Sequence, residues 1–447
     1  MDLKKSLVVI PLSLSLLVPV TNGVVVQAAK DETPTVSTAA VDLRSDLGHL
    51  LSEHAYLAIE TMRKGAEGAE DFDASATALS KNTEDLSAAI ASVYGEEAGN
   101  SFKEMWSSHI GYFVDYVKGT ANKDEEAKQA ALDELAQYRQ DFSKFLETAT
   151  GERLEAGSLA EGLQMHVNQL IGAFDSYVAG DYEKAYEYER EAISHMHMVA
   201  KGLSAAIVDQ FPDKFNNTKA VTPAGDLRAQ LNYLLSEHAG LAVMAMQNGI
   251  DGSDDFDASA MALSNNTEDL SNAIASVYGE EAGQQFKEMW SNHVGFFVDY
   301  VTATAEEDEA AKEEALNKLN QYRQDFSKFI ETATEGEVPA SALAEGLQMH
   351  VDQLISAFDS YAAGDYTAAY ESLRMAYEHM YGSAEALSGG IVAQFPDKFA
   401  MEMPSDMPNT GMGGTADQGM NWTWVMLATV LFLSAGGYVL SRRTAKQ

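Results

Sequence analysis

The 447-residue chain contains no cysteine. That excludes disulfides, thiolate metal sites and covalently attached c-type haem. Basic residues are also scarce, 30 Lys and Arg against 68 Asp and Glu, for a net charge of −38. So acidic a chain argues against nucleic acid and anionic lipid as partners, and fits a solvated protein that attracts cations. Alternating β-branched runs are missing, which argues against a sheet. There is no His-Glu-x-x-His, no Gly-x-Ser-x-Gly elbow, no P-loop and no glycine-rich dinucleotide fingerprint. No histidine has Glu three residues before it, as a di-iron bundle would need. With no nucleophile–base pair in view, the chain reads as a binding protein rather than an enzyme.

What is present is a repeat. Residues 42–216 return as 226–400 at a constant offset of 184, without a gap and with well over half the residues shared. Ala, Leu and Glu are abundant in each copy. Glycines at 65, 68, 95, 119, 151 and 180, with Pro212, punctuate six helices over 42–64, 74–94, 97–120, 124–149, 156–178 and 181–210. Asp124 and Asp181 stand at cap positions. The expected fold is all-α: two tandem homologous helical bundles of six helices each. Residues 30–41 and 217–225 read as linkers, and 401–421 as a flexible stalk.

Histidine is where the two copies agree most usefully. Eight of ten histidines form matched pairs, His54/His238, His109/His293, His166/His350 and His195/His379, while His49 and His197 align with Tyr233 and Tyr381. Each matched histidine lies mid-helix in an apolar stripe of three-and-four spacing, as in Leu47, Leu51, His54, Ala58, Met62. Mid-helix positions of an antiparallel bundle meet in one layer. Four buried imidazoles there are costly unless satisfied together, at roughly 1–3 kcal/mol each. Neutral imidazole is the common protein ligand for Zn, Cu, Fe and Ni. The expectation is one four-His metal site per repeat, built from His54, His109, His166 and His195, and from His238, His293, His350 and His379.

Four methionine pairs also match: Met62/Met246, Met105/Met289, Met165/Met349 and Met196/Met380. Met105 and Met289 precede a histidine by one turn and are candidate soft ligands, which would favour copper, Cu(I) in particular. An all-histidine set suits Cu(II) or zinc equally, and non-covalent haem clamped by the same layer stays open. Met165 and Met196 are expected to pack in the core. Asn82-Thr83-Glu84-Asp85 and Asp115-Tyr116, both repeated, are candidates for orienting the ligands or for capping. The competing reading is a structural or adhesive module whose histidines complete a polar core layer.

The ends carry addresses. Lys4 and Lys5, the apolar run Leu7 to Val20 and Val26-Gln27-Ala28 form a signal-peptide pattern over 1–29. Near the other end stand Met407, Pro408, Asn409, Thr410 and Gly411, an apolar run over 422–440, and a basic tail over 441–447. That order resembles the Leu-Pro-x-Thr-Gly cell-wall sorting signal of Gram-positive surface proteins, with Met407 in the place of Leu. The resemblance implies sortase cleavage after Thr410 and linkage to peptidoglycan; without cleavage, 422–440 would serve as a transmembrane helix with the basic end inside. Either outcome puts the repeats outside the cell on a tether. Leu-Ser-Glu-His at 51–54 and 235–238, with Gln-Phe-Pro-Asp-Lys-Phe at 210–215 and 394–399, resembles a group of Gram-positive secreted proteins labelled copper amine oxidase. True amine oxidases make a quinone from Tyr in Asn-Tyr-Asp/Glu. The only Asn-Tyr here is Asn232-Tyr233-Leu234, so the resemblance implies copper but not the oxidase site.

Overall fold

Each expected helix forms, with ends within three residues of the sequence reading. The computed structural model describes residues 33–401. The first repeat comprises α1 (Ala39–Glu67), α2 (Phe72–Tyr94), α3 (Glu96–Asn122), α4 (Glu125–Ala149), α5 (Ala156–Val178) and α6 (Tyr182–Gln210). The second comprises α7 (Pro223–Asp251), α8 (Phe256–Tyr278), α9 (Glu280–Ala305), α10 (Glu309–Ala333), α11 (Ala340–Ala362) and α12 (Tyr366–Gln394). A single turn, Pro212–Phe215 or Pro396–Phe399, follows the last helix of each. No strand occurs among the described residues. Among them, too, no helix is long and apolar enough to cross a membrane. The segments expected to be a signal peptide, a sorting motif, a transmembrane helix over 422–440 and a basic tail lie outside the described residues.

Local chemistry explains the boundaries. Thr38 accepts a hydrogen bond from the Val41 amide and Thr222 from the Gly225 amide, capping α1 and α7. Asp124 and Asp181 cap as expected, accepting from Ala127 and Lys184. Gly68 and Gly252 close α1 and α7 in the left-handed conformation, at φ 65° and 62°. The two linkers are shorter than the sequence reading. Ala39–Val41 and Pro223–Gly225 are already helical, because the threonine caps start each helix earlier than the first apolar residue of its stripe.

The two repeats form one compact unit over the described residues. Helices α1 and α7 lie side by side at its centre; α6 reaches across to α8, and α12 to α2. Several of the ion pairs that join the repeats come in reciprocal sets related by the offset of 184. Arg374 grips Glu53 through two bonds, 3.0 and 2.8 Å, and Arg190 grips Glu237 likewise at 3.2 and 3.0 Å. Arg44 binds Asp226 and Arg228 binds Asp42, both at 2.6 Å. This is the pattern of an isologous dimer fused into one chain.

Because it is enclosed by its own bundle and by the other repeat, α1 is buried on every side from Leu51 to Lys64. Its charges are therefore inside: Glu53, Glu60, Arg63 and Lys64 are 0, 1, 4 and 3% exposed. Arg63 donates to Tyr186 Oη at 2.6 Å and Asp255 at 2.9 Å and pairs with Glu60 at 3.0 Å; Lys64 pairs with Asp71 at 3.0 Å. Buried charges persist only when matched in this way.

Candidate metal centre

Helices α1, α3 and α5 each turn one histidine into the middle of the first bundle, and α7, α9 and α11 do so in the second. His54, His109 and His166 are 0, 2 and 4% exposed; His238, His293 and His350 are 1, 2 and 4%. In each set one ring nitrogen per residue falls within 4.8 Å of those of the other two. The centroids of His54 and His109 are 5.3 Å apart and those of His54 and His166 5.9 Å; the second repeat gives the same two separations. The close agreement follows from the matched packing residues around the two layers.

One edge of the first set already has ligand spacing. His54 Nε2 and His109 Nε2 are 3.4 Å apart. That is long for a hydrogen bond. Two imidazole nitrogens bound to one tetrahedral ion at about 2.0–2.1 Å would stand about 3.3–3.4 Å apart. Other polar atoms of the layer have no partner: His54 Nδ1, His109 Nδ1 and both nitrogens of His166, with Trp106 Nε1 and Tyr138 Oη beside them. In the second repeat the same holds for His293 Nδ1, both nitrogens of His238 and His350, Trp290 Nε1 and Tyr322 Oη. Folded proteins leave few such groups, and each costs about 1–3 kcal/mol.

Burial keeps these rings neutral. It pushes His109 down to about 3, the Trp106 carbonyl opposing it. His293 is also pushed down to about 3, by burial and then by His350. His54, His166, His238 and His350 are held well below the usual imidazole range, burial again first and neighbouring histidines second. A neutral imidazole with a free lone pair is the form that binds a metal, so the donor set fits an ion.

The walls are aromatic. Trp106 packs 4.7 Å from both His54 and His109, and Tyr138 stacks on His109 at 4.9 Å. Trp290 and Tyr322 repeat this around His238 and His293. The sequence reading does not single out these four residues, of which Tyr138 and Tyr322 stand on α4 and α10. The signal available was that both pairs, Trp106/Trp290 and Tyr138/Tyr322, recur at the offset of 184.

The expectation of four histidines per site is corrected to three. His195 and His379 stand outside the groups. His195 Nδ1 bonds Gln169 Oε1 at 3.0 Å, and His379 Nε2 donates to the Gly346 carbonyl at 2.9 Å. Helical phase puts both on the bundle side of α6 and α12, where they meet Gln169 of α5 and Gly346 of α11 beside His166 and His350. Met105 and Met289 are half-buried at the margins of their cores. Met196 is in the core as expected, whereas Met165 and Met349 are 48 and 51% exposed. The repeated polar motifs serve other ends: Asn82 donates to Glu53 and to the Leu50 carbonyl, Asp85 binds Arg374, and Tyr116 donates to Asp175. They brace helices and the contact between repeats rather than the imidazoles.

No protein-family model, curated protein or solved structure matches the chain.

Proposed function

We propose that this chain is a cell-surface metal-binding protein carrying one ion in each repeat, held by His54, His109 and His166 and by His238, His293 and His350. The observation that carries the reading is the convergence of three buried, neutral imidazoles with unpartnered nitrogens at equivalent places in both repeats. Three imidazoles leave a position open on a tetrahedral ion, which suits copper or zinc. Copper is the first choice, in keeping with the resemblance to the secreted group that bears its name, and zinc the alternative. Haem fits less well, since Trp106 and Tyr138 pack directly on the rings and fill the space a macrocycle would need. Sequestration or buffering at the envelope agrees with the signal peptide, the sorting pattern and the excess of acidic groups, which draws cations toward the surface.

The test is elemental analysis of the chain secreted from a Gram-positive host without a histidine tag. Two equivalents of copper or zinc are expected, falling to none when His109→Ala and His293→Ala are combined. A folded chain that retains no metal and refuses added copper and zinc would leave a structural or adhesive surface module.

A further inference from the structure

The fourth matched histidine of each repeat, left outside the buried group, has unusual neighbours. His195 lies over Gly162 of α5, where a Cβ would stand 3.9 Å from its Nε2, and its Nδ1 bonds Gln169. Gly162 and Gln169 are one turn before and one turn after His166 on the same helix. His195 is thus the next imidazole outward from the buried set. His379 takes the corresponding place over Gly346, 4.0 Å by the same measure.

Exposed thioethers stand on the helices that carry and face these rings, of which His195 is itself 4% exposed. Met165 and Met349, three residues on from Gly162 and Gly346, are 48 and 51% exposed. On α6, Met198 follows His195 by three residues and is 55% exposed; on α12, Met375 precedes His379 by four and is 51% exposed. Both spacings put the methionine on the histidine's own face. The second methionine comes from different positions in the two repeats, since Met198 aligns with Gly382 and Met375 with Glu191. Each repeat has therefore arrived at one imidazole and two exposed thioethers by its own route, and core packing explains none of the four methionines.

We infer that each patch, His195 with Met165 and Met198 and His379 with Met349 and Met375, is a surface site for a soft monovalent cation that hands the ion inward to the buried imidazoles. Thioethers select Cu(I) or Ag(I) over Zn(II). The hydrogen-bonded nitrogen keeps its proton, and the other nitrogen, Nε2 of His195 or Nδ1 of His379, supplies the lone pair. Transfer to His166 or His350 is ligand exchange with no change in oxidation state. The inward step rests on the metal reading above; the surface site does not.

The test uses the whole chain labelled with 13C-methyl methionine and first given Zn(II), then Ag(I). The methyl signals of Met165, Met198, Met349 and Met375 are expected to move with Ag(I) and to ignore Zn(II). A variant with all four changed to Leu should keep the zinc stoichiometry of the buried groups yet take up Cu(I) several-fold more slowly. Methyl signals unmoved by Ag(I), or an unchanged uptake rate, would overturn the proposal. Failure of the buried sites appears separately, as absence of bound zinc, and leaves the Ag(I) readout intact.

Discussion

At the scale of single residues, the buried imidazoles make acid stability a direct readout of the site. His109 and His293 protonate near 6.5 when unfolded but at about 3 when folded. Between those values the unfolded chain holds more protons, so the fold loses stability as pH falls below 6.5. At pH 5 the loss is about 2 kcal/mol for each of the two rings. Urea midpoints of the metal-free chain should therefore drop steeply from pH 6.5 to 4. His109→Leu should flatten that limb and raise the midpoint at pH 5 while losing the ion of the first repeat. An unchanged slope in the variant would mean that His109 is not held neutral. That the three histidines point inward was legible from spacing alone. The place of His195 was not, because helical phase fixes the face a residue occupies but not how far that face lies from the central layer. The exposure of Met165 was hidden for the same reason.

At the scale of helices, burial of α1 on all sides creates a second pH dependence with the opposite sign. Glu189, 2% exposed and facing the Arg63 network, is pushed up to about 8, by burial first, with Arg63 opposing and Glu60 adding to the shift. Its ordinary value is 4.5. The folded chain therefore holds a proton that the unfolded chain releases. The stability this confers is complete below pH 4.5 and disappears as pH rises through 8, with about 3 kcal/mol already lost by pH 7. The second repeat has Leu373 at this position. Glu189→Leu should raise the thermal midpoint at pH 8 and abolish the alkaline decline. Arg63→Ala acts oppositely: it strands Glu60 and Asp255 and should cost about 3–5 kcal/mol by chemical denaturation. The six helices per repeat were readable because glycine and capping residues mark each break. The burial of Glu53, Glu60, Arg63 and Lys64 was not, since charges on a helix read as a solvated face until a second bundle covers them.

At the scale of the whole molecule, the buried histidine groups match in both repeats, while the contact between the repeats combines matched ion pairs with unmatched rings. Tyr56 and Gly240 occupy equivalent positions, and the Tyr56 hydroxyl donates to the Gly240 carbonyl at 3.2 Å across the contact between α1 and α7. A Cβ on Gly240 would come within 3.0 Å of the Tyr56 ring. Gly240→Ala should therefore destabilise the chain by about 1–3 kcal/mol, despite alanine's better helix propensity, as thermal unfolding would show. His49 and His197, unmatched between the repeats, are used here too: His49 packs 5.0 Å from Tyr381 and His197 5.6 Å from Tyr233. Each such pair joins unlike residues of the two repeats. Co-expressed as separate chains, residues 33–222 and 223–401 should accordingly assemble one to one in native mass spectrometry, in preference to either homodimer. A two-copy comparison shows that His49 and His197 diverge, but only the fold shows that each faces the tyrosine standing in the other's place.

Whether three imidazoles close around one ion in each repeat is tested most directly by X-ray absorption on the chain loaded with copper or zinc. It should report three histidine nitrogens per ion at about 2.0–2.1 Å, with the same spectrum whether one repeat is disabled or neither. A first shell dominated by carboxylate oxygen, or one that survives loss of His54, His109 and His166 together with His238, His293 and His350, would contradict such closure.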